Sequence, residues 1–289
     1  MLPQINKIER LSKKVWRILG LNPGPFTLQG TNTYLIGEGK YRTLIDCGQN
    51  EDGYKELLKQ VLDETQSQIS QVIFTHNHPD HTLGIKDILE LKQNCTFKKY
   101  MYLEEDQQLE QEYGFKYEQV GFQDMEIVKG EDHTLQVITT PGHCTDHVCF
   151  YLFEEKTLFT GDFILSGSSN VIRNLKDQMN SFKKCLSLDV ENIYSAHGVA
   201  ITGKEESQKT MLEQMQHRQM REDKIKAAIK QLGQCNSNQI LEIVYPGLQE
   251  NLVNGALHNI SVHITKLIDD KLVLKLDNQQ FKWVEEPSL

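Results

Sequence analysis

A chain of 289 residues with 38% apolar and 25% charged side chains is long enough to bury a core, and its 19 glycines and 7 prolines exclude collagen-like and low-complexity architectures. No apolar run approaches the ~20 residues needed to cross a bilayer. The 31 Lys and Arg against 40 Asp and Glu leave a net charge of −9, which excludes broad adhesion to nucleic-acid backbones or anionic membranes, so an anionic substrate must find a local source of positive charge.

Residues 1–20 carry Lys7, Arg10, Lys13, Lys14 and Arg17 against Glu9 alone, with apolar residues at roughly helical intervals. That pattern is shared by mitochondrial targeting segments and also reads as a short solvated helix ahead of a first strand, Val15 to Leu21. The expected location is the mitochondrial matrix, with the cytoplasm as the alternative. Tyr34 to Ile36 and Thr43 to Asp46 read as a hairpin around the turn-rich Gly37 to Lys40. Tyr54 to Leu62 has the i, i+3, i+4 apolar spacing of a helix and is followed by an apolar, β-branched run, Gln71 to Thr75. Strand, crossover helix and strand predict a layered α/β unit whose chemistry lies beyond the strand ends. Short strands recur at Leu135 to Thr139, Val148 to Phe153 and Leu158 to Thr160.

Beyond Gly203 the character changes, and we divide the chain into residues 1–203 and 204–289. A polar helix is predicted from Lys204 to Leu232, then helices over Asn236 to Val244 and Leu252 to Ile268, then two strand-like runs around Asp277 and Asn278. Helices followed by a hairpin suggest a small winged-helix-like appendage. Its 11 Lys and Arg minus 12 Asp and Glu give −1, unlike an ordinary DNA reader, and no DNA partner is expected. The six cysteines are scattered without C-x-x-C pairs and read as reduced thiols in an intracellular compartment.

Chemistry concentrates in T-H-N-H-P-D-H, Thr75 to His81, where an apolar strand gives way to a loop. Three imidazoles and a carboxylate within six positions can serve two neighbouring metal ions. His143 in T-P-G-H, Asp162 in T-G-D and His197 in A-H-G each follow an apolar run beside a glycine, so a sheet edge would deliver all of them to one cleft. Asp46, ending the strand L-I-D, reads first as a turn former, with support of the ligands from behind as the alternative. Gln29, Thr31 and Asn32 read as makers of backbone turns, and His147 as a neighbour of the ligands. His133, His217, His258 and His263 have no motif context. Lys204, Lys209, Arg218, Arg221, Lys224 and Lys226 read as a solvated helix face.

These motifs resemble the metallo-β-lactamase superfamily, in the order H-x-H-x-D-H, His, Asp, His over roughly residues 15–203. The resemblance implies a four-layer αββα sandwich and a dinuclear site, with His76, His78 and His143 on one metal, Asp80, His81 and His197 on the other, and Asp162 bridging. His81 and Asp162 point to the glyoxalase II and RNase branch. Asn22 to Ile36, Leu44 to Gly48, Thr140 to His147 and His217 to Glu222 resemble a mitochondrial endoribonuclease type that also carries a winged-helix-like C-terminal domain. Leu83 before Gly84 and Ser195-Ala196 before His197 depart from the usual pattern at turns, not at ligands.

The resemblance implies hydrolysis of single-stranded RNA by a hydroxide held between two Zn²⁺, with Mn²⁺ as the other candidate and Asp80 orienting the water or taking its proton. From the charge and the apolar runs, no membrane partner is expected. Two alternatives are a glyoxalase II-type thioester hydrolase and a catalytically silent metal-binding subunit associated with RNA.

Overall fold

The computed structural model of the chain describes residues 2–284. Its first strand, β1 (Ile8–Arg10), pairs antiparallel with β2 (Val15–Leu19), so the stretch expected to be a short helix is extended instead. Cross-strand pairing overrides helical spacing here: Ile8 lies opposite Ile18, and the buried Arg17 pairs with Glu9.

β2 continues through β3 (Asn32–Ile36), β4 (Tyr41–Ile45), β5 (Gln68–Ile73) and β6 (Thr96–Lys98) into a six-stranded sheet in sequence order. β3 and β4 form the expected antiparallel hairpin. β4 and β5 run parallel, joined by the crossover helix α1 (Tyr54–Glu64). α2 (Pro79–Thr82), α3 (Ile85–Glu90) and α4 (Glu104–Tyr113) follow β5 and β6.

A second six-stranded sheet comprises β7 (Ile127–Lys129), β8 (Thr134–Thr139), β9 (Val148–Leu152), β10 (Thr157–Gly161), β11 (Asn192–Ser195) and β12 (Ile201–Thr202). α5 (Leu175–Leu186) makes the crossover between the parallel strands β10 and β11.

Alternating side chains divide the apolar residues among three layers of packing. Tyr34, Ile36, Ile45 and Ile73 of the first sheet meet Val137, Phe150, Leu152 and Phe159 of the second. On the outer face of the first sheet, Leu58, Val61, Ile85 and Ile88 of α1 and α3 cover Leu35, Leu44 and Val72. On the outer face of the second, Phe182 and Cys185 of α5 and Met211 cover Ile138, Cys149 and Leu158. The result is the four-layer αββα sandwich.

α6 (Lys204–Leu232) carries Met211 and then continues away from the sandwich. Its second half packs Ile225, Ala228 and Ile229 against α7 (Ser237–Val244), α8 (Val253–Asp269) and a small sheet in the order β13 (Gln234–Cys235), β15 (Phe281–Trp283), β14 (Val273–Lys275). Asn236 starts α7 with a capping box closed by Gln239.

Gly84, which follows the Thr75 to His81 motif, lies against the turn after β4, where an added Cβ would come within 1.7 Å of the Cys47 carbonyl oxygen. Gly84→Ala is predicted to cost about 3 kcal/mol by forcing these two backbones apart. Urea unfolding followed by circular dichroism reads the shift in midpoint.

Candidate metal centre

Five strand ends deliver polar side chains to one rim of the sandwich. β4 leads into Asp46, β5 into Thr75 to His81, β8 into the loop bearing His143, β10 into Asp162 and β11 into His197. Asp46 sits at φ 55°, a left-handed conformation that Asp tolerates better than most residues. Gly161 allows Asp162 its approach, since a Cβ there would meet His147 Nε2 at 2.7 Å and Thr75 Cβ at 2.8 Å.

The seven ligand-type residues fall into two groups: His76, His78, His143 and Asp162, and Asp80, His81 and His197. Within each group the ligand atoms lie within 4.8 Å of one another. His78 Nδ1 lies 2.9 Å from His76 Nε2 and 3.0 Å from His143 Nε2. Asp80 Oδ2 lies 3.2 Å from His81 Nε2 and 3.3 Å from His197 Nε2. Asp162 stands between the groups. Its Oδ2 is 3.5 Å from His143 Nε2, while its Oδ1 is 3.1 Å from His197 Nε2 and 3.6 Å from His81 Nε2.

The donor set fits divalent cations. Nitrogens converging near 3 Å approach the ~3.3 Å edge of a tetrahedron built on Zn–N bonds of ~2.0–2.1 Å. His81 Nε2 and Asp162 Oδ1 are buried without a hydrogen-bond partner among the described residues, an expensive state that a shared cation relieves. Imidazole with carboxylate suits Zn²⁺ and Mn²⁺.

The electrostatics divide the same way. Burial, then the neighbouring His81 and His147 rings, holds His76 well below the usual imidazole range. Burial and His143 push His78 down to about 4, so both rings are neutral donors at pH 7. In the other group burial opposes charge on the imidazoles but is outweighed. Asp80 and Asp46 hold His81 well up, and Asp162 and Asp80 raise His197 to about 9. Burial also opposes charge on the carboxylates. Even so, His81 and His197 hold Asp80 far below the carboxylate range, and His197 with His81 does the same for Asp162. Metal ions would take over from these protons the task of balancing the carboxylates.

A surrounding set of hydrogen bonds aims each donor. Asp46 Oδ1 accepts from Thr75 N at 2.8 Å, and its Oδ2 accepts from Thr75 Oγ1 at 2.8 Å and from His81 Nδ1 at 2.7 Å. With a metal ion in place of the second proton, His81 Nε2 is the free lone pair, so Asp46 orients a ligand in addition to making a turn. His143 Nδ1 donates to Val171 O at 2.7 Å. His147 accepts from Asp162 N at 3.1 Å and donates to Thr140 Oγ1 at 2.8 Å. Asn32 donates to Ser195 O and Gly198 O, strapping the turn that carries His197.

Several sequence expectations need correction or addition. Thr31 does more than make a turn: its Oγ1 donates to Asp80 Oδ2 at 2.9 Å and accepts from Asn22 Nδ2 at 3.0 Å. Gln29 donates to Pro3 O. Arg218 is buried, bonded to Asn170 Oδ1, and is no part of a solvated face. His133 is buried against Thr43, and His258 and His263 bond backbone carbonyls. Phe26 and Arg173, for which the sequence pattern gives no signal, line a cleft of about 240 Å³ above His78, Asp80, His143, Asp162 and His197. Arg173 is the one Lys or Arg on that lining, and the Phe26 ring is 78% exposed.

Asp46→Asn keeps the backbone conformation but replaces the acceptor facing His81 Nδ1 with an amide. It is predicted to weaken metal affinity 10- to 100-fold, read by competition with a chromophoric chelator.

Comparison with known proteins agrees with this geometry. Residues 26–197 match the family described as the Metallo-beta-lactamase superfamily. The Beta-lactamase-like protein 2 homolog of Caenorhabditis elegans is 38% identical over 288 residues, covering 98% of this chain and 94% of that protein. An atrochrysone carboxyl ACP thioesterase of Claviceps purpurea is 38% identical over 201 residues, covering 69% of this chain and 61% of that protein. The crystal structure of a beta-lactamase domain protein from Burkholderia ambifaria superposes with a TM-score of 0.76 at 17% identity, covering 96% of this chain and 93% of that one, a likeness of fold.

Proposed function

The chain belongs to the metallo-beta-lactamase superfamily, and from that premise we propose that it is a metal-dependent endoribonuclease acting on single-stranded RNA. The observation that carries the proposal is Asp162 shared between two donor groups beneath a cleft in whose lining, among the described residues, Arg173 is the one Lys or Arg. His76, His78 and His143 would hold one divalent ion and Asp80, His81 and His197 the other, with Zn²⁺ first and Mn²⁺ second as candidates. Two such ions, when bound, supply Lewis acidity towards a phosphoryl group and lower the pKa of water.

The chain's own residues supply the rest. Asp80, whose Oδ2 is held by the Thr31 hydroxyl and faces His81 and His197, orients the attacking water or takes its proton at the other oxygen, Oδ1. Arg173 pairs with a phosphate beside the scissile one, the local positive charge that a chain of net charge −9 needs. The exposed face of Phe26 offers a base a stacking surface of the kind that single-strand binders use. Location in the mitochondrial matrix belongs to the same proposal, although Arg10, Lys13 and Lys14 also pair with Glu38 within the fold. A second reading, thioester hydrolysis, draws support from the relatives named ACP thioesterases, because the same donor groups would serve an acyl carbon.

Metal-loaded protein is predicted to cleave labelled single-stranded RNA, and Asp80→Ala to lose at least about 100-fold in kcat. Turnover of S-lactoylglutathione without RNA cleavage would replace the first reading with the second. Arg173→Gln is predicted to raise KM for RNA about tenfold, the equivalent of ~1.4 kcal/mol, with kcat near that of the wild type. With so few phosphate contacts, log affinity against log salt should slope by only about −1 to −2, measured by fluorescence anisotropy.

A further inference from the structure

The segment Asn170 to Arg173 forms a wall of the cleft and is gripped from both sides. On the cleft side, Val171 O accepts the Nδ1–H of His143 at 2.7 Å. Arg173 N and Asn174 N both donate to Gly142 O, at 2.8 and 2.9 Å, tying the segment to the residue before His143. On the far side, Arg218 of α6 donates from Nη2 to Asn170 Oδ1 at 2.8 Å, and His258 Nε2 of α8 donates to Ile172 O at 2.9 Å. The residues immediately before and after Val171 are thus each bonded to a different C-terminal helix. Ile172 and Leu175 also pack against Val262 of α8.

Arg218 is an unusual residue to spend on such a contact. It is buried, with no carboxylate within 4.0 Å among the described residues. Its partners are a neutral amide, the Gln214 carbonyl oxygen and the Phe182 ring face at 5.7 Å. Burial pushes its pKa down to about 10, and the arginine stays charged at pH 7. A guanidinium on an exposed turn of α6 would avoid that desolvation. Holding Asn170 offsets the cost in function.

We propose that Arg218 and His258 are positioning residues that fix the Val171 carbonyl, so that His143 presents Nε2 to the donor group it shares with His76 and His78. A carbonyl oxygen only accepts, so Val171 O keeps the proton on Nδ1 and leaves the Nε2 lone pair facing His78. This ties the C-terminal helices to the hydrogen bond of a donor ring in one group. Towards the other, among the described residues, α6 reaches only the Leu165 carbonyl, through Gln214 Nε2 at 2.8 Å, next to Ser166, whose N bonds His197 O at 3.4 Å. The second group is held from within the sandwich, by Asp46 behind His81, Thr31 behind Asp80 and Asn32 behind the His197 turn. The inference rests on the metal reading of the site, and is independent of which substrate the site hydrolyses.

The test titrates Zn²⁺ into the full-length protein against a chromophoric chelator, with thermal unfolding of each variant in parallel. Wild type is predicted to bind two ions. Arg218→Met and His258→Ala each weaken one of them 10- to 100-fold and leave the other within about twofold. Arg218→Lys and His258→Gln, which keep a donor towards the segment, recover most of the loss. Lys176→Ala removes an exposed pair with Asp270, 3.1 Å across the same interface, and leaves both affinities unchanged.

Equal affinities in wild type, Arg218→Met and His258→Ala would overturn the proposal. So would joint weakening of both ions, or an effect of Lys176→Ala as large as the others. A wild type that binds no Zn²⁺ would overturn the site reading and this inference together. Selective loss of one ion in a protein that fails to cleave RNA would support the inference and overturn only the substrate assignment.

Discussion

A single carboxylate, Asp162, faces two sets of imidazole nitrogens with its two oxygens, and the rest of the site is arranged around it. Collecting Asp46, Asp80 and Asp162 with His76, His78, His81, His143 and His197 at one rim concentrates buried charge and ring nitrogens that water would otherwise solvate. Such a collection persists only on a rigid frame with every donor aimed. The two packed sheets supply the frame, and the strand ends bring donors from three loops within 4.8 Å in one group and from two loops in the other. Asp46, His147, Thr31, Asn32 and the Val171 carbonyl supply the aim.

Much of this was legible in the sequence because the donors are polar residues at the exits of apolar runs. Thr75 to His81, His143, Asp162 and His197 stand where periodicity ends and glycines begin, and the structure brings all seven ligand-type residues together. The supporting residues were harder to read. The hydroxyl of Thr31 finds its partner 49 positions away, and Val171 contributes a carbonyl that any residue carries. α4 is faint to hydrophobic periodicity because only Leu109 and Tyr113 pack on the core, and a buried ion pair, Lys99 with Asp106, anchors its first turn. The N-terminal stretch misleads for the opposite reason, since its helical spacing is real but its backbone is recruited by the edge of the first sheet. Arg218 looked like one more cation on a polar helix, and only the packing of α6 over Phe182 and Asn170 shows that it is buried.

Charge ties the sandwich to its appendage. The protein as a whole is acidic, and the C-terminal region is close to neutral, so neither offers an anionic substrate a broad electrostatic surface. What the fold offers is local: Arg173 in the cleft and two donor groups suited to divalent cations. The C-terminal helices contribute by gripping the wall from which Arg173 projects and against which His143 is oriented. They thereby link a remote packing interface to the chemistry of one donor group.

The proposed site has two ions sharing Asp162. The most direct measurement is a crystal structure of Zn²⁺-loaded protein with anomalous difference maps at the zinc edge. Two peaks are expected, one among His76, His78 and His143 and one among Asp80, His81 and His197, each touched by a different oxygen of Asp162. A single peak, or two peaks with Asp162 bound to neither, would contradict it.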